Sequence, residues 1–383
     1  MPNPRPSTPA KKPYRFGFIL NTSVGNMTRY QNLRKYAERD PEIEFTWAPV
    51  SHYIAPDVRS RLRFLPPALF MRARVVHQTW PVLGRLGQLD AVMIHLFEAD
   101  VLCALRGCLL SKPLRFSSTD EAPITDRSTY PMYPAEAAKP PWRYGARLAL
   151  DQWRVRHTDH FVPFTQWGAD ILIRDCGAPK GRVHPLHVGM DLELWRSPPK
   201  PPRLPADRLK LLFVGGDFVR KGGALLLEVF SRHFQDTAEL HLVSRQAPDS
   251  LPPHVHVHND LEPNDERLRR LYSEVDVVVV PSTADLIPWV FLEALTMRLP
   301  VIATRVGATT EVVRDGETGF AVPVGDGEAL RQAIQRIVDD HALAWHMGQQ
   351  GRALIEAHYD AAKNVPAILQ TMKDATDGGR PRP

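Results

Sequence analysis

Two stretches of this sequence hold side chains whose types and spacing suit the binding of an anionic ligand. In LKLLFVGGDFVRKGGALLLEVF, Arg220 and Lys221 stand just before the amino end of a helical pattern. Free backbone N–H groups and the helix dipole favour an anion there, and two cations reinforce them. A diphosphate suits this arrangement; a helix start with two solvated cations is the alternative. The second stretch, VVVVPSTADLIPWVFLEALTMR, holds Asp285 in a turn and Glu293 eight residues later. Glu293 stands among Phe291, Leu292, Ala294 and Leu295, the one carboxylate in an otherwise apolar helix. A charge in that setting must be paired, reach solvent, or meet a polar ligand.

The elements that would position these groups are legible around them. Val277, Val278, Val279 and Val280 form an unbroken β-branched run, the pattern of a strand buried on both faces of a parallel sheet. Pro281 and Ser282 end it, and PWVFLEALTMR, apolar almost all round, predicts a buried helix. A second buried strand spans residues 300–304. Gly307 then turns the chain into a short helix near Thr309, and Asp315-Gly316 makes a closing turn. Ligands of open parallel sheets bind at the carboxyl ends of strands, so the Asp285 turn and the Gly307 turn should face one crevice. The loop with Gly215, Gly216, Gly222 and Gly223 fails the G-x-G-x-x-G spacing, and no Gly-Lys-Ser/Thr Walker loop occurs.

Residues 277–320 resemble the nucleotide-sugar site of retaining glycosyltransferases of family 4, which have the two-domain GT-B fold. The resemblance covers residues 210–359 well and the earlier half weakly. Those proteins carry two glutamates eight apart; here Asp285 replaces the first and Glu293 is the second. The resemblance implies that Arg220 and Lys221 meet the diphosphate and Glu293 the ribose hydroxyls. Asp285 and the turn of Leu286, Ile287, Pro288, Trp289 and Val290 would meet the sugar. The family shows a Gly-Arg turn followed by Lys-Gly. Lys221-Gly222 matches, Gly216 replaces the arginine, and Arg220 would serve instead. Gly215, Gly216 and Asp217 would line the donor, and Asn259, Asp260 and Leu261 would hold the base. Leu-Ile-Pro-Trp replaces the glycine-aromatic turn common in relatives, a change expected to bear on sugar choice. No Asp-x-Asp motif is present, so no metal and no cofactor is expected, the nucleotide-sugar being a substrate.

The earlier half reads as the acceptor domain. YRFGFILN is a strand, followed by a turn in which only Gly25 stands where relatives have a glycine-rich acceptor loop. A second strand spans residues 42–50. DAVMIHL is a third, ending at His95; relatives place a donor-touching histidine two positions later, where this chain has Phe97. His95 is either that contact or a strand-end histidine bonded to backbone. Asp120 and Glu121 follow the strand in PLRFSSTDEAP and either contact acceptor hydroxyls or cap a helix. Gly189-Met190-Asp191 stands where relatives read Gly-Val-Asp, just before the proline-dense SPPKPPRLPAD.

The expected fold class is therefore α/β: two Rossmann-like, doubly wound parallel-sheet domains facing a cleft, the GT-B arrangement. The expected organisation is a disordered tail over 1–13, an acceptor domain over 14–196, a linker over 197–208 and a nucleotide-sugar domain over 209–360. A helix over 361–376 crosses back to the first domain, and a tail spans 377–383.

The 383 residues carry a formal charge of +5 and three cysteines, too few and too scattered for a disulfide framework or zinc site. His256 and His258 alternate on one strand face, with no third ligand spaced for zinc and a surface position expected. No run of about 20 apolar residues marks a membrane span. The proline-rich start lacks the apolar core of a secretory signal, so a cytoplasmic location is expected, at the inner face of the plasma membrane if lipid is a partner. The excess arginine clusters at Arg59, Arg61, Arg63, Arg72, Arg74 and Arg85, and again at Arg143, Arg147, Arg154 and Arg156. Leu62, Phe64, Leu65, Leu69, Phe70 and Met71 are interleaved with the first cluster. That segment is either a face lying on an anionic membrane or a helix pair with solvated arginines, Pro66 and Pro67 interrupting any single long helix.

The partners expected are a nucleotide-sugar donor, a glycan or lipid-linked acceptor and an anionic membrane surface. No nucleic acid is expected, because no recognised nucleic-acid motif occurs. The competing functions are a nucleotide-sugar epimerase or weak transferase of the same fold, and a basic membrane- or nucleic-acid-binding module.

Overall fold

The computed structural model describes residues 12–23, 26–51, 67–107, 113–119, 141–196, 198 and 208–379. Two parallel sheets organise them. The first contains β1 (Tyr14–Asn21), β2 (Ile43–Val50), β3 (Ala91–His95), β4 (Leu114–Thr119) and β5 (His160–Pro163), in the order β2-β1-β3-β4-β5. The second contains β6 (Leu209–Val214), β7 (Ala238–Val243), β8 (Val255–His258), β9 (Val277–Val280), β10 (Val301–Thr304) and β11 (Gly319–Val322), in the order β11-β10-β9-β6-β7-β8. All residues of β3, β9, β10 and β11 are buried. Their unbroken apolar runs follow from that, since helices cover both faces of a parallel sheet.

The helices of the first half are α1 (Asn26–Ala37), α2 (Pro67–Leu83), α3 (Phe97–Gly107), α4 (Pro141–Arg156) and α5 (Gln166–Arg174). Those of the second are α6 (Gly223–His233), α7 (Glu266–Glu274), α8 (Trp289–Thr296), α9 (Gly327–Asp339), α10 (His341–His358) and α11 (Ala361–Gly378). Pro67 opens α2 at the one helical position where proline is well tolerated. The short helix expected near Thr309 is a single 3-10 turn, Thr309–Glu311. No helix among the described residues is long and apolar enough to cross a membrane.

The chain crosses between the sheets twice, and the crossings lie side by side. Met190 N–H donates to Tyr359 O at 2.7 Å, and Ala361 N–H donates to Met190 O at 3.0 Å. Gly189 has φ +85°, and a Cβ there would stand 2.5 Å from Tyr359 O, so this close approach needs glycine. The Asp191 carboxylate accepts from Lys35 Nζ at 2.6 Å and Tyr36 Oη at 2.9 Å, which ties the first crossing to α1. After the second crossing, α11 inserts Val365, Ile368, Leu369 and Met372 into the core formed by Phe16, Phe18 and Phe116 of the first sheet.

The strand order reverses between β1 and β3 in the first sheet and between β6 and β9 in the second. Loops leaving neighbouring strands part there in opposite directions and open a crevice at the carboxyl edge.

Candidate functional site

The second crevice joins the two stretches that carry the charged residues. After β6, the chain winds through residues 215–222 in tight turns, with Lys221 N–H donating to Asp217 O at 3.0 Å and Gly223 N–H to Phe218 O at 2.8 Å. Gly222 caps α6 with φ +79°, and a Cβ there would meet Pro281 O at 2.0 Å. The loop after β6 therefore presses directly on the loop after β9. Thr283 N–H donates to Arg220 O at 2.8 Å, and Arg220 Nη1 donates to Ala284 O at 2.7 Å.

Asp285 is the centre of this junction. Its Oδ2 pairs with Lys221 Nζ and accepts from Ser282 Oγ at 3.2 Å, with Arg220 Nη1 at 4.0 Å. Its Oδ1 accepts from Leu286 N–H at 3.2 Å. The Lys221 and Asp285 side chains are each 14% exposed, so the pair is largely screened from solvent but still reachable. Arg220 is also held by Asp217, whose Oδ2 lies 3.1 Å from Nε. The Gly307 turn closes the far side: with φ +53°, its missing Cβ would lie 2.5 Å from Asp285 O and 3.0 Å from Leu286 Cα. The two turns meet as the sequence predicts.

Glu293 is buried at 5% exposure, so it does not reach out to solvent. Its Oε2 accepts a 2.8 Å hydrogen bond from Tyr272 Oη on α7. Burial pushes the carboxyl up to about 7, with the tyrosine bond pulling the other way. Pro288 caps α8 without a side-chain hydrogen bond, and Ile287, Trp289 and Val290 are partly buried against the second core. Gly215 packs on Phe213 and Lys221, whereas Gly216 faces open space. Leu261 packs against the same core as α8. Asn259 is exposed beside it, and Asp260 pairs with Arg267 at 2.6 Å.

Several contacts bring the first domain up to the second. Asn264 Nδ2, in the loop before α7, donates to Thr28 Oγ1 at 3.2 Å and Gln31 Oε1 at 2.9 Å on α1. Glu311 accepts from the backbone N–H groups of Gln166 at 3.2 Å and Trp167 at 2.7 Å, capping α5 across the domain boundary. The Trp289 ring lies 5.2 Å from that of His187, which lies 5.7 Å from Phe164. Phe164 in turn stacks on His95 at 5.2 Å and lies 4.1 Å beneath the Arg29 guanidinium.

His95 Nδ1 lies 2.8 Å from Ser118 O, the backbone bond of the second of its two sequence readings. His187 accepts at Nδ1 from Gly189 N–H at 2.8 Å, and burial holds it down at about 3, neutral with its proton on Nε2. Gly25, Asp120, Glu121, Arg59, Arg61 and Arg63 lie outside the described residues, as do the side chains of Phe97 and Arg72.

The sequence reading missed Tyr272, Glu311 and His187. Tyr272 falls on the apolar stripe of ERLRRLYSE with Leu268 and Leu271 and reads as core; nothing local marks the other two. It also missed His241 on β7, which stacks on His256 at 5.0 Å and on His258 at 5.5 Å. Burial holds His241 down at about 4. Among the described residues, no group of three or more His, Cys, Asp or Glu side chains converges as a metal site.

Comparison with known proteins agrees with this geometry. Residues 208–340 match the family model described as Glycosyl transferases group 1. D-inositol 3-phosphate glycosyltransferase 1 of Catenulispora acidiphila is 29% identical over 267 residues, covering 62% of this chain and 62% of that protein. MMP alpha-(1->4)-mannosyltransferase of Mycolicibacterium hassiacum is 26% identical over 292 residues, covering 70% of this chain and 66% of that protein. The chain thus spans less than two thirds of the length of these curated relatives. Among solved structures, sucrose-phosphate synthase of Thermosynechococcus elongatus superposes with a TM-score of 0.73 at 18% identity, over 94% of this chain and 98% of that one. Anabaena HepE, solved with UDP-glucose, gives 0.68 at 14% identity, over 94% and 100%. Residues 208–340 of this chain are thus similar to the glycosyl transferases group 1 family, and the two domains together have the GT-B fold.

Proposed function

We propose that this protein moves a sugar from a nucleotide-diphospho-sugar donor to a glycan, lipid-linked or small-molecule acceptor, with retention at the anomeric carbon. The observation that carries the proposal is the junction of Lys221, Arg220 and Asp285 at the β6/β9 crevice, beside the helix that buries Glu293. The names of its relatives, which include inositol phosphate glycosyltransferases and a lipopolysaccharide core transferase of Rhizobium meliloti, support a role in polysaccharide or glycolipid synthesis. HepE supports the donor class, having been solved with UDP-glucose.

The donor's diphosphate lies against Lys221, Arg220 and the amino end of α6. As the bond between the anomeric carbon and the β-phosphate oxygen breaks, its electron pair stays on that oxygen. The acceptor hydroxyl oxygen bonds to the anomeric carbon and gives up its proton to the departing phosphate. Lys221 Nζ carries three N–H donors and Asp285 takes one, leaving the others for the growing phosphate charge. These cations supply the countercharge, and the proposal needs no metal. Asp285 and the 286–290 turn hold the sugar, and Glu293 holds the ribose hydroxyls.

An anionic bilayer is the further partner proposed. Val76 and Trp80 on α2 are 41% and 61% exposed, and Arg85, also exposed, follows that helix. An apolar face edged by arginine suits anionic headgroups, at the inner face of the plasma membrane. Binding to anionic but not neutral vesicles, reversed by salt, is expected; equal binding to both counts against it.

The function is tested by thermal shift with UDP-, GDP-, ADP- and TDP-sugars. One nucleotide should stabilise the wild type, and Lys221→Ala should reduce that stabilisation. No shift with any donor would overturn the proposal.

A further inference from the structure

Glu293 is a buried carboxylate with no cation beside it: the tyrosine of α7 gives it its one hydrogen bond among the described residues, and no ion pair reaches it. The tyrosine is itself fixed. Tyr272 is fully buried, its ring set edge-on to Trp195 at 5.5 Å and 75°. Burial and the neighbouring carboxylate hold its hydroxyl well above its usual range, so it stays protonated and always donates. Oε2 is taken by this bond, and Oε1 is left for a ligand.

We infer that Tyr272 is a positioning residue for the nucleotide: its hydroxyl holds the Glu293 carboxyl in the ionised form that a pair of ligand hydroxyls requires, which makes nucleotide affinity depend on pH. The inference rests on the nucleotide-sugar reading above. Two hydroxyls of a ribose diol both donate, so their complement is a carboxylate, which only accepts; a neutral carboxyl turns one oxygen into a competing donor. Burial favours the neutral form, and the tyrosine opposes it. The free protein near neutral pH is therefore a mixture of the two forms. Ligand binding selects the ionised one and releases a proton, and affinity falls as the pH drops below the carboxyl's midpoint. Burial and the Tyr272 hydroxyl are the influences on the Glu293 carboxyl. Its neighbours along α8, Phe291, Leu292, Ala294 and Leu295, carry no charge, and Leu268 and Leu271 share the buried side of α7 with Tyr272. The charged side chain that α10 brings to α8, Arg352, is held by Thr296 O at 2.9 Å and by Glu356 at 2.6 Å.

The test is Tyr272→Phe, which removes one oxygen and keeps the ring against Trp195. Dissociation constants for UDP, GDP, ADP and TDP are measured calorimetrically from about pH 5.5 to about pH 9 for wild type, Tyr272→Phe and Glu293→Gln. The ligand's own phosphate ionisation is common to all three, so the ratios carry the information. Loss of a hydrogen bond to a charged group moves a carboxyl's midpoint by about one unit or more. Tyr272→Phe should therefore bind about tenfold more weakly near pH 7 and recover wild-type affinity toward the alkaline end. Glu293→Gln should bind weakly throughout. A Tyr272→Phe ratio constant across the range would mean that the tyrosine only packs, and would overturn this inference while leaving the glycosyltransferase reading in place. No binding of any of the four diphosphates by the wild type would overturn that reading and this inference with it. The ligand-free protein gives a separate check. The Glu293 carboxyl infrared band, isolated as the difference from Glu293→Gln, should titrate at higher pH in Tyr272→Phe; an unmoved titration overturns the inference.

Discussion

The ammonium of Lys221 is paired with the carboxylate of Asp285, so the loop after β6 is held to the loop after β9 across 64 residues of sequence. The pair gives Asp285 two effects on an incoming donor. It orients Lys221 toward the crevice, and it sets a negative charge beside the place proposed for the diphosphate.

Opposite outcomes follow for the two partners. Lys221→Ala should weaken binding of the free diphosphate and cut turnover, since losing one preorganised donor costs about 3–4 kcal/mol of barrier. Asp285→Asn removes a charge that repels the diphosphate, so it should bind that ligand at least as tightly as wild type and yet turn over poorly with the intact donor. Calorimetry with both ligands separates the cases. Weakened diphosphate binding by Asp285→Asn would mean that the carboxylate is needed to place Lys221 and that its repulsion is minor.

Gly307 and Gly216 should differ sharply when changed to alanine. Gly307 combines φ +53° with a contact 2.5 Å from Asp285 O, so its Cβ must displace the Asp285 turn. A strained backbone of this kind costs about 1–3 kcal/mol, and turnover should fall further than stability does. Gly216 has open space around its missing Cβ, and Gly216→Ala should leave the melting temperature unchanged. Equal behaviour of the two variants in thermal melts and donor kinetics would show that the Gly307 turn does not control the Asp285 position.

The elements of this fold were legible because they are local. Four consecutive valines mark β9, and the apolar surroundings of Glu293 mark α8 as buried. The sheet order was not local, and the side-chain pairs that depend on it were not legible, although the meeting of the Asp285 and Gly307 turns was. Lys221 meets Asp285 only because β6 and β9 are neighbours, a fact no stretch of either loop encodes. His241 joins His256 and His258 for the same reason, through the β7–β8 register that sets His241 opposite His256. Tyr272 looked like core because it is core; only its hydroxyl, 21 residues away in sequence, reaches the Glu293 carboxylate.

Glu311 should act as a clasp between the domains. Its carboxylate satisfies two backbone N–H groups at the start of α5, which belongs to the other domain. Removing a helix cap costs about 1 kcal/mol. Here that loss falls on the contact between domains, so Glu311→Ala should lower interdomain order more than it lowers the stability of either core. A larger radius of gyration by small-angle scattering, restored by saturating donor, is the expected result. An unchanged scattering profile with a lowered melting temperature would make Glu311 a cap and nothing more.

Stability should respond to pH through two buried groups with opposite signs. His187 is held at about 3, below its ordinary value of 6.5, because burial disfavours the charged ring. The unfolded chain then takes up a proton that the folded chain refuses, so this contribution is whole above pH 6.5 and is lost as the pH falls toward 3. Glu293 is held at about 7, above its ordinary 4.5. Its contribution is whole below pH 4.5 and is lost as the pH rises through 7, because ionising it in place is harder than ionising it in the unfolded chain. The difference amounts to about 3 kcal/mol. Glu293→Gln keeps an acceptor for Tyr272 and cannot ionise, so it should gain stability relative to wild type as the pH rises from about 5 to about 8. Urea unfolding of both proteins at those two pH values measures the change, and a gap that does not widen with pH would mean that the buried carboxylate finds a stabilising partner when it ionises.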